Sequence, residues 1–259
     1  MILKLKKRAL ILGKKKTTIL LWLSVVFFFA LGGSEVAAQK KFSKTYPASQ
    51  NVRLHLLNRS GTVTVEGWNR PEVNISAYLE APAANIAPQS LSGTIYINLV
   101  KDNQGRGDVG SVNFTIRVPY DSRVDIETKI GNLNVSNVRG GLVRAHISSD
   151  GDITLTNISS GAVSAQNGIG NIFFDGEILA GGKYRFTSMR GDINLRVPSN
   201  SAFRLIATAP STRSINLGSF SGGNMQFVGD GRRVVGQFGD GSATLTVTNQ
   251  RGSIAFIRR

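Results

Sequence analysis

Few residues in this chain have the type and spacing that chemistry needs. Asp152 and Asp192 hold the same place in a repeated phrase, with Asn132 and Asn171 at the other copies. If successive copies stack at about 4.8 Å, the two carboxylates stand about 10 Å apart. That exceeds the roughly 6.5–9.5 Å of an inverting glycosidase pair and the roughly 5 Å of a retaining one. His55 and His146 are the only histidines. Zinc asks for three or four His, Cys or carboxylate ligands, and the spacing supplies no others. The Asp-Gly pairs at Asp150, Asp230 and Asp240 make turns rather than a calcium loop. Arg106-Gly107-Asp108 is a receptor-type tripeptide in a glycine-rich loop, and Arg190-Gly191-Asp192 is the repeated phrase preceded by arginine. No nucleophile–base pair, phosphate-cradling loop or redox motif is present. A non-enzymatic chain with no catalytic residue, metal or cofactor is the expectation.

What remains is contact chemistry. Trp68 could stack on a sugar ring, but its place in a turn argues for closing an end of the core. Phe173 interrupts an otherwise polar outward position and is a candidate contact residue. Arg144 and Arg185 project outward from two copies of a second phrase, and they complete the candidate surface.

The elements that position these residues form a repeat. Gly131-Asn-Leu-Asn-Val135, Gly151-Asp-Ile-Thr-Leu155, Gly170-Asn-Ile-Phe-Phe174 and Gly191-Asp-Ile-Asn-Leu195 follow one another at nearly constant spacing. Between them lie Gly141-Leu-Val-Arg-Ala145, Gly161-Ala-Val-Ser-Ala165 and Gly182-Lys-Tyr-Arg-Phe186. In both phrases the second and fourth residues after glycine are apolar, the period-2 signature of a strand with one buried face. A fixed period of about 20 residues with two short strands predicts coils stacked in parallel, since one coil cannot bury its apolar side alone. The glycines suit tight corners with positive φ, and Asn132, Asp152, Asn171 and Asp192 are expected to form a hydrogen-bonded ladder along the axis.

Of 31 basic and 16 acidic residues, seven basic and one acidic fall within residues 1–38. That segment has a basic start, an apolar run Ile19–Leu31 broken only by Ser24, and Val36-Ala37-Ala38. This is the pattern of a secretory signal peptide; a spanning helix would want about 20 apolar residues. The remaining 24 basic and 15 acidic residues favour anionic envelope partners such as wall polymer, acidic polysaccharide or lipid headgroups. Nucleic acid is not expected, because no basic cluster interleaved with aromatics is present. With no cysteine, stability must come from the stacked core.

Residues 39–50, with Lys40, Lys41 and Lys44, read as a basic leader. Residues 51–259 read as one solenoid domain: N-terminal strands over 51–125, regular coils over 126–198 and looser coils over 199–259. The first third lacks the period and is expected to form antiparallel hairpins capping one end. Gly61-Thr-Val-Thr-Val65-Glu-Gly67-Trp68-Asn69-Arg70-Pro71-Glu72-Val73, then Val118-Pro119, the repeated Gly-Asp/Asn-Ile phrases and the terminal Gly252-Ser-Ile strand resemble the bacterial "putative adhesin" or "toastrack" β-strand-repeat family. The resemblance covers about residues 50–259. It implies an all-β, adhesin-like envelope protein and carries no catalytic residues. The expectation is therefore an exported solenoid that binds an anionic envelope polymer, a polysaccharide or an envelope protein, touching membrane only through an uncleaved N-terminus. Its rivals are a polysaccharide-degrading β-helix enzyme and a membrane-proximal envelope-stress component.

Overall fold

The computed structural model describes residues 40–222 and 224–259; the signal-peptide reading of residues 1–38 lies outside them. The chain runs through β1 (Lys40–Pro47), β2 (Arg53–Leu57), β3 (Val63–Trp68), β4 (Glu72–Leu79), β5 (Gln89–Leu91) and β6 (Thr94–Asn98). A helical turn, α1 (Leu99–Asp102), leads to β7 (Val112–Pro119), β8 (Arg123–Ile130) and β9 (Leu133–Ser136). The regular coils supply β10 (Val143–Asp150), β11 (Ile153–Ile158), β12 (Ala162–Ile169), β13 (Ile172–Gly176), β14 (Lys183–Arg190) and β15 (Ile193–Val197). The last part holds β16 (Phe203–Thr208), β17 (Ile215–Asn216), β18 (Gln226–Val228), β19 (Arg233–Phe238), β20 (Ala243–Asn249) and β21 (Ile254–Arg258).

These strands make a β-solenoid with two sheets. The first has the order β1-β4-β7-β3-β9-β11-β13-β15-β21-β17, the second β18-β19-β16-β20-β14-β12-β10-β8-β2-β6-β5. The repeated phrases stack in parallel and in register: Leu133 opposite Ile153, Ile153 opposite Ile172, Ile172 opposite Ile193. The second phrase does the same through Ala145, Ala165 and Phe186. Leu133, Val135, Ile153, Leu155, Ile172, Phe174, Ile193 and Leu195 are all fully buried. Burying such a side chain stabilises by about 1.5–3 kcal/mol, so it is the inward positions of the coils that hold the stack together. At the C-terminal end Phe203, Phe220, Phe238 and Phe256 pack with ring centroids 5.0–6.2 Å apart and close the core.

The corner glycines form a column. Gly61, Gly131, Gly151, Gly170, Gly191 and Gly252 all have φ between +111° and +155°. A Cβ on Gly131, Gly151, Gly170, Gly191 or Gly252 would come within 1.9–2.3 Å of the carbonyl oxygen of the preceding glycine in the stack. Coil spacing at this corner thus has room only for glycine.

Antiparallel pairing at the N-terminal end is real but narrower than the sequence suggests. β1, β4 and β7 pair antiparallel, as do β5 and β6, while β2 and β3 run parallel to β8 and β9. The reason is that Gly61-Thr-Val-Thr-Val65 is itself a copy of the phrase, displaced from the others by the insertion that carries β4 to β7. Lys40–Pro47, read by composition as a leader, forms β1 along the whole of β4, with Phe42 and Tyr46 packed against the core. Leu99–Asp102 turns as a helix capped by Asn98, whose side chain accepts from the Lys101 N–H at 2.9 Å.

Candidate functional site

The outer face of the second sheet carries a row of cations unpaired among the described residues. In-register pairing sets Arg144, Ser164, Arg185 and Thr246 in one row across β10, β12, β14 and β20. The next row sets Ala162, Lys183, Thr244 and Arg204 across β12, β14, β20 and β16. Strand alternation turns Tyr184 and Phe186 inward to the core and leaves Lys183 and Arg185 outside. The outcome is a basic ridge on β14 with short side chains on either side. It borders a shallow depression of about 320 Å³ lined by Ala162, Ser164, Lys183, Arg185, Thr244 and Thr246. Lys183 and Arg185 are two residues apart on one strand, about 7 Å; Arg144 and Arg204 each stand two strands away, about 10 Å.

The pairing of these cations differs. Arg144 meets Asp125 at 3.2 Å and Glu127 at 3.9 Å. Lys183, Arg185 and Arg204 have no carboxylate partner among the described residues. This local surplus follows a wider asymmetry. From Lys183 onward the chain has eleven basic residues against three acids, Asp192, Asp230 and Asp240. The opposite part of the same face is nearly balanced: His55 stacks on Tyr96 with centroids 5.0 Å apart and lies 3.3 Å from Asp125, and His146 lies 3.7 Å from Glu127. Cations at such strand spacings on an open face can engage a chain of anionic groups at several points at once.

Phe173 is not part of this surface. It lies on the outer face of the first sheet, between Thr154 and Asn194, half-buried beneath the Arg196 guanidinium at 5.9 Å. The three sequence-level contact residues therefore divide, with Arg144 and Arg185 on one sheet and Phe173 on the other. Beside Phe173, the buried Asp175 carboxylate is held by Arg196 and by Arg259 at 3.5 Å. The Asp175 carboxylate, hydrogen-bonded to Arg196, raises that guanidinium's pKa. Arg259 also bonds Glu177, so the cluster ties the end of β21 to β13. Trp68 is likewise on the outside, not in the core. The guanidiniums of Arg70 and Arg117 lie 5.0 and 5.7 Å from its ring centroid, and its Nε1–H donates to the Glu72 carbonyl at 2.9 Å. Two guanidinium groups over the ring compete with a sugar for stacking on the indole.

The ladder carboxylates are engaged in structure. The Asn132 side-chain oxygen accepts from the Asp152 N–H at 2.9 Å, Asp152 from Asn171 at 2.6 Å, Asn171 from Asp192 at 2.9 Å and Asp192 from Ser253 at 2.7 Å. Each rung uses one side-chain oxygen as acceptor, which is why Asn and Asp alternate freely. In the Arg106-Gly107-Asp108 loop the Arg106 guanidinium donates to the Ala83 carbonyl at 3.0 Å and the Asn103 side chain at 3.3 Å. Among the described residues no group of three His, Cys, Asp or Glu is placed to hold a metal ion.

A further column has no counterpart in the sequence-level expectations. Asn58, Thr128, Asn167, Ser188 and Asn249 each stand three residues before a corner glycine, and all five are buried. Ser148 holds the same place before Gly151 but is exposed, because the register of β10 shifts between Ile147 and Asp150. The Nδ2 groups of Asn167 and Asn249 donate to the carbonyls of Gly151 and Gly191 at 2.8 and 2.7 Å. The two asparagines thereby satisfy backbone carbonyls that the glycine corners leave inside. Tyr184 does similar work: its hydroxyl donates to the Ser160 carbonyl at 3.0 Å and accepts from the Leu179 N–H at 2.7 Å, and burial raises its pKa.

Comparison with known proteins bears on the family rather than the ligand. No curated protein matches the chain. Among solved structures, a "putative cell adhesion protein" from Clostridium sporogenes is 13% identical, with a TM-score of 0.48 over 85% of this chain and 100% of that one. A "putative adhesin" from Bacteroides fragilis is 10% identical, with a TM-score of 0.36 over 85% and 99%. A "putative lipid binding protein" from Parabacteroides distasonis is 10% identical, with a TM-score of 0.33 over 85% and 97%. The family model described as Toastrack DUF4097 matches residues 31–256. With that model spanning most of its length, the chain belongs to the Toastrack DUF4097 family.

Proposed function

We propose that this chain is an exported, non-enzymatic, adhesin-like protein of the bacterial envelope that binds an anionic polymer along the outer face of its second sheet. The observation that carries the reading is the ridge of Lys183 and Arg185, with Arg204 two strands from Lys183, none with a carboxylate partner among the described residues. Cations at strand spacing beside short Ser, Thr and Ala side chains suit a repeating, negatively charged chain lying across the strands. Many weak contacts then add up without an enclosing pocket. The engaged state of Asp152 and Asp192, each accepting a backbone N–H, supports a structural role for these carboxylates over a catalytic one. No helix among the described residues is long and apolar enough to cross a membrane. The apolar run at Ile19–Leu31 supports export.

The test is co-sedimentation of the protein with envelope fractions and with purified acidic polysaccharide at low and high salt. Retention on the acidic polymer, weaker but measurable at high salt, is the expected result. No retention at either salt sinks the reading, and release of new reducing ends from the polymer would replace binding with catalysis.

A further inference from the structure

A second surface lies where the strands of the second sheet end. The ends of β12 and β14, the turn after β20, the loop after β16 and the β18–β19 turn come together there. Ile169, Met189, Arg190, Ser211, Gln250 and Arg251 line one shallow depression. Thr212 donates to the Gly252 carbonyl at 2.7 Å, Arg213 N–H to the Ala209 carbonyl at 3.0 Å, and Ala209 N–H to the Arg232 carbonyl at 2.8 Å. These bonds join the depression to the β18–β19 turn, so the rim is continuous.

Its composition combines exposed apolar tips with unpaired arginines. Met189 is 58% exposed, Val228 50% and Ile169 47%. Between and beside them stand Arg190, Arg213, Arg232, Arg233 and Arg251, none in an ion pair among the described residues. The carboxylates at the rim are Asp230 on the turn and Asp150, which pairs with Ile169 across β10 and β12, so the five arginines outnumber them. An anionic polymer would engage the arginines but gains nothing from apolar tips. Contiguous apolar tips rimmed by charged residues mark an interaction surface. Apolar side chains set among arginines match the boundary of an anionic bilayer, where the tips enter the acyl edge and guanidinium groups pair with lipid phosphates.

We propose that this rim docks on an anionic phospholipid surface. The rim is the far end of the outer face that carries the basic ridge, with Met189 four residues beyond Arg185 on β14 and Val228 and Arg233 in the outward row of Thr187, and the two together would let one molecule bridge a membrane surface and an envelope polymer.

The absence of cysteine allows a local test in the full chain. Single variants Met189→Cys, Val228→Cys and Asn194→Cys are labelled with an environment-sensitive fluorophore and titrated with vesicles of phosphatidylglycerol and phosphatidylcholine, or of phosphatidylcholine alone. The Met189 and Val228 labels should shift to the blue on the anionic vesicles only. The Asn194 label, on the outer face of the first sheet, should not. Adding Arg190→Ser and Arg251→Ser to the Met189→Cys protein should weaken the transition about 25-fold, at about fivefold per arginine near an anionic surface. No shift at the rim labels, an equal shift at Asn194, or an equal shift on neutral vesicles would overturn the proposal. Polymer retention by the Arg190→Ser/Arg251→Ser protein should stay at the wild-type level; its loss would show that rim and ridge act as one charge-driven surface and would also overturn it.

Discussion

Replacing Gly191 by alanine probes the feature on which every coil depends. The new Cβ would lie 2.0 Å from the Gly170 carbonyl oxygen, at a residue whose φ is +127°. An L-residue held in so sparsely populated a region costs about 1–3 kcal/mol. Forcing the coils apart to relieve the contact adds about 1–3 kcal/mol. A loss of about 4 kcal/mol in a domain of this size lowers the melting temperature by about 8–16 °C, at about 2–4 °C per kcal/mol. The control is Gly161→Ala, where a Cβ meets nothing within 4 Å and φ is not left-handed; it should melt within about 2 °C of wild type. Thermal unfolding followed by far-UV circular dichroism reads both. Because stacked repeats need not unfold as one unit, hydrogen exchange at β13 and β15 should localise the loss to the flanking coils. If Gly191→Ala melts within about 2 °C of wild type, or Gly161→Ala falls as far, the glycine column does not set the coil spacing.

Three further outcomes are expected. Asp152→Asn keeps the side-chain oxygen that accepts from Asn171 and should change stability by under about 0.5 kcal/mol, whereas Asp152→Ala should cost about 0.5–1.5 kcal/mol, read by the same melts. Tyr184→Phe leaves the Leu179 N–H and the Ser160 carbonyl without their partner and should cost about 1–3 kcal/mol at neutral pH. Burial raises the folded-state phenol pKa above its ordinary value of about 10. This contribution is therefore complete below about pH 10 and falls as pH rises beyond it, and the variant should lack that alkaline component. Asp108→Glu should leave attachment to integrin-bearing cells unchanged, since Arg106 is tied into its own loop; a loss of attachment would restore the tripeptide as a receptor site.

The parts of the fold legible in the sequence were those where period and phase agree. The four Gly-Asn/Asp phrases between Gly131 and Leu195 determined strand type, parallel stacking and the inward residues, and the ladder of Asn132 to Asp192 followed from their common phase. Gly61-Thr-Val-Thr-Val65 is the same phrase, but the whole of β4 to β7 separates it from Gly131, the next corner glycine of its column, so a search for a fixed period passes over it. β1 was hidden by composition: Lys40, Lys41 and Lys44 mask the alternation that sends Phe42 and Tyr46 to the core. The polar residue three positions before each corner glycine was visible, yet Asn, Thr and Ser share only a hydrogen-bonding role and no single letter repeats.

The surface was less legible, for a physical reason. Alternation tells whether Arg144, Arg185 or Phe173 faces outward, but not which of two sheets it faces out from. That depends on where each strand falls around the coil, and it separates Phe173 from the two arginines. The excess of arginine from Lys183 onward was open to counting. Its placement on the ridge and on the rim required the register of β14 with β20 and β16.

Polymer binding by the basic ridge is tested most directly by two variants of equal charge. One carries Lys183→Ser, Arg185→Ser and Arg204→Ser; the other carries Lys40→Ser, Lys41→Ser and Lys44→Ser on β1. Three exposed charge contacts at about 0.5 kcal/mol each should make the ridge variant bind acidic envelope polymer about tenfold more weakly, with the β1 variant within about twofold of wild type. Equal weakening of both would reduce the interaction to net charge, and undiminished binding by the ridge variant would contradict the site outright.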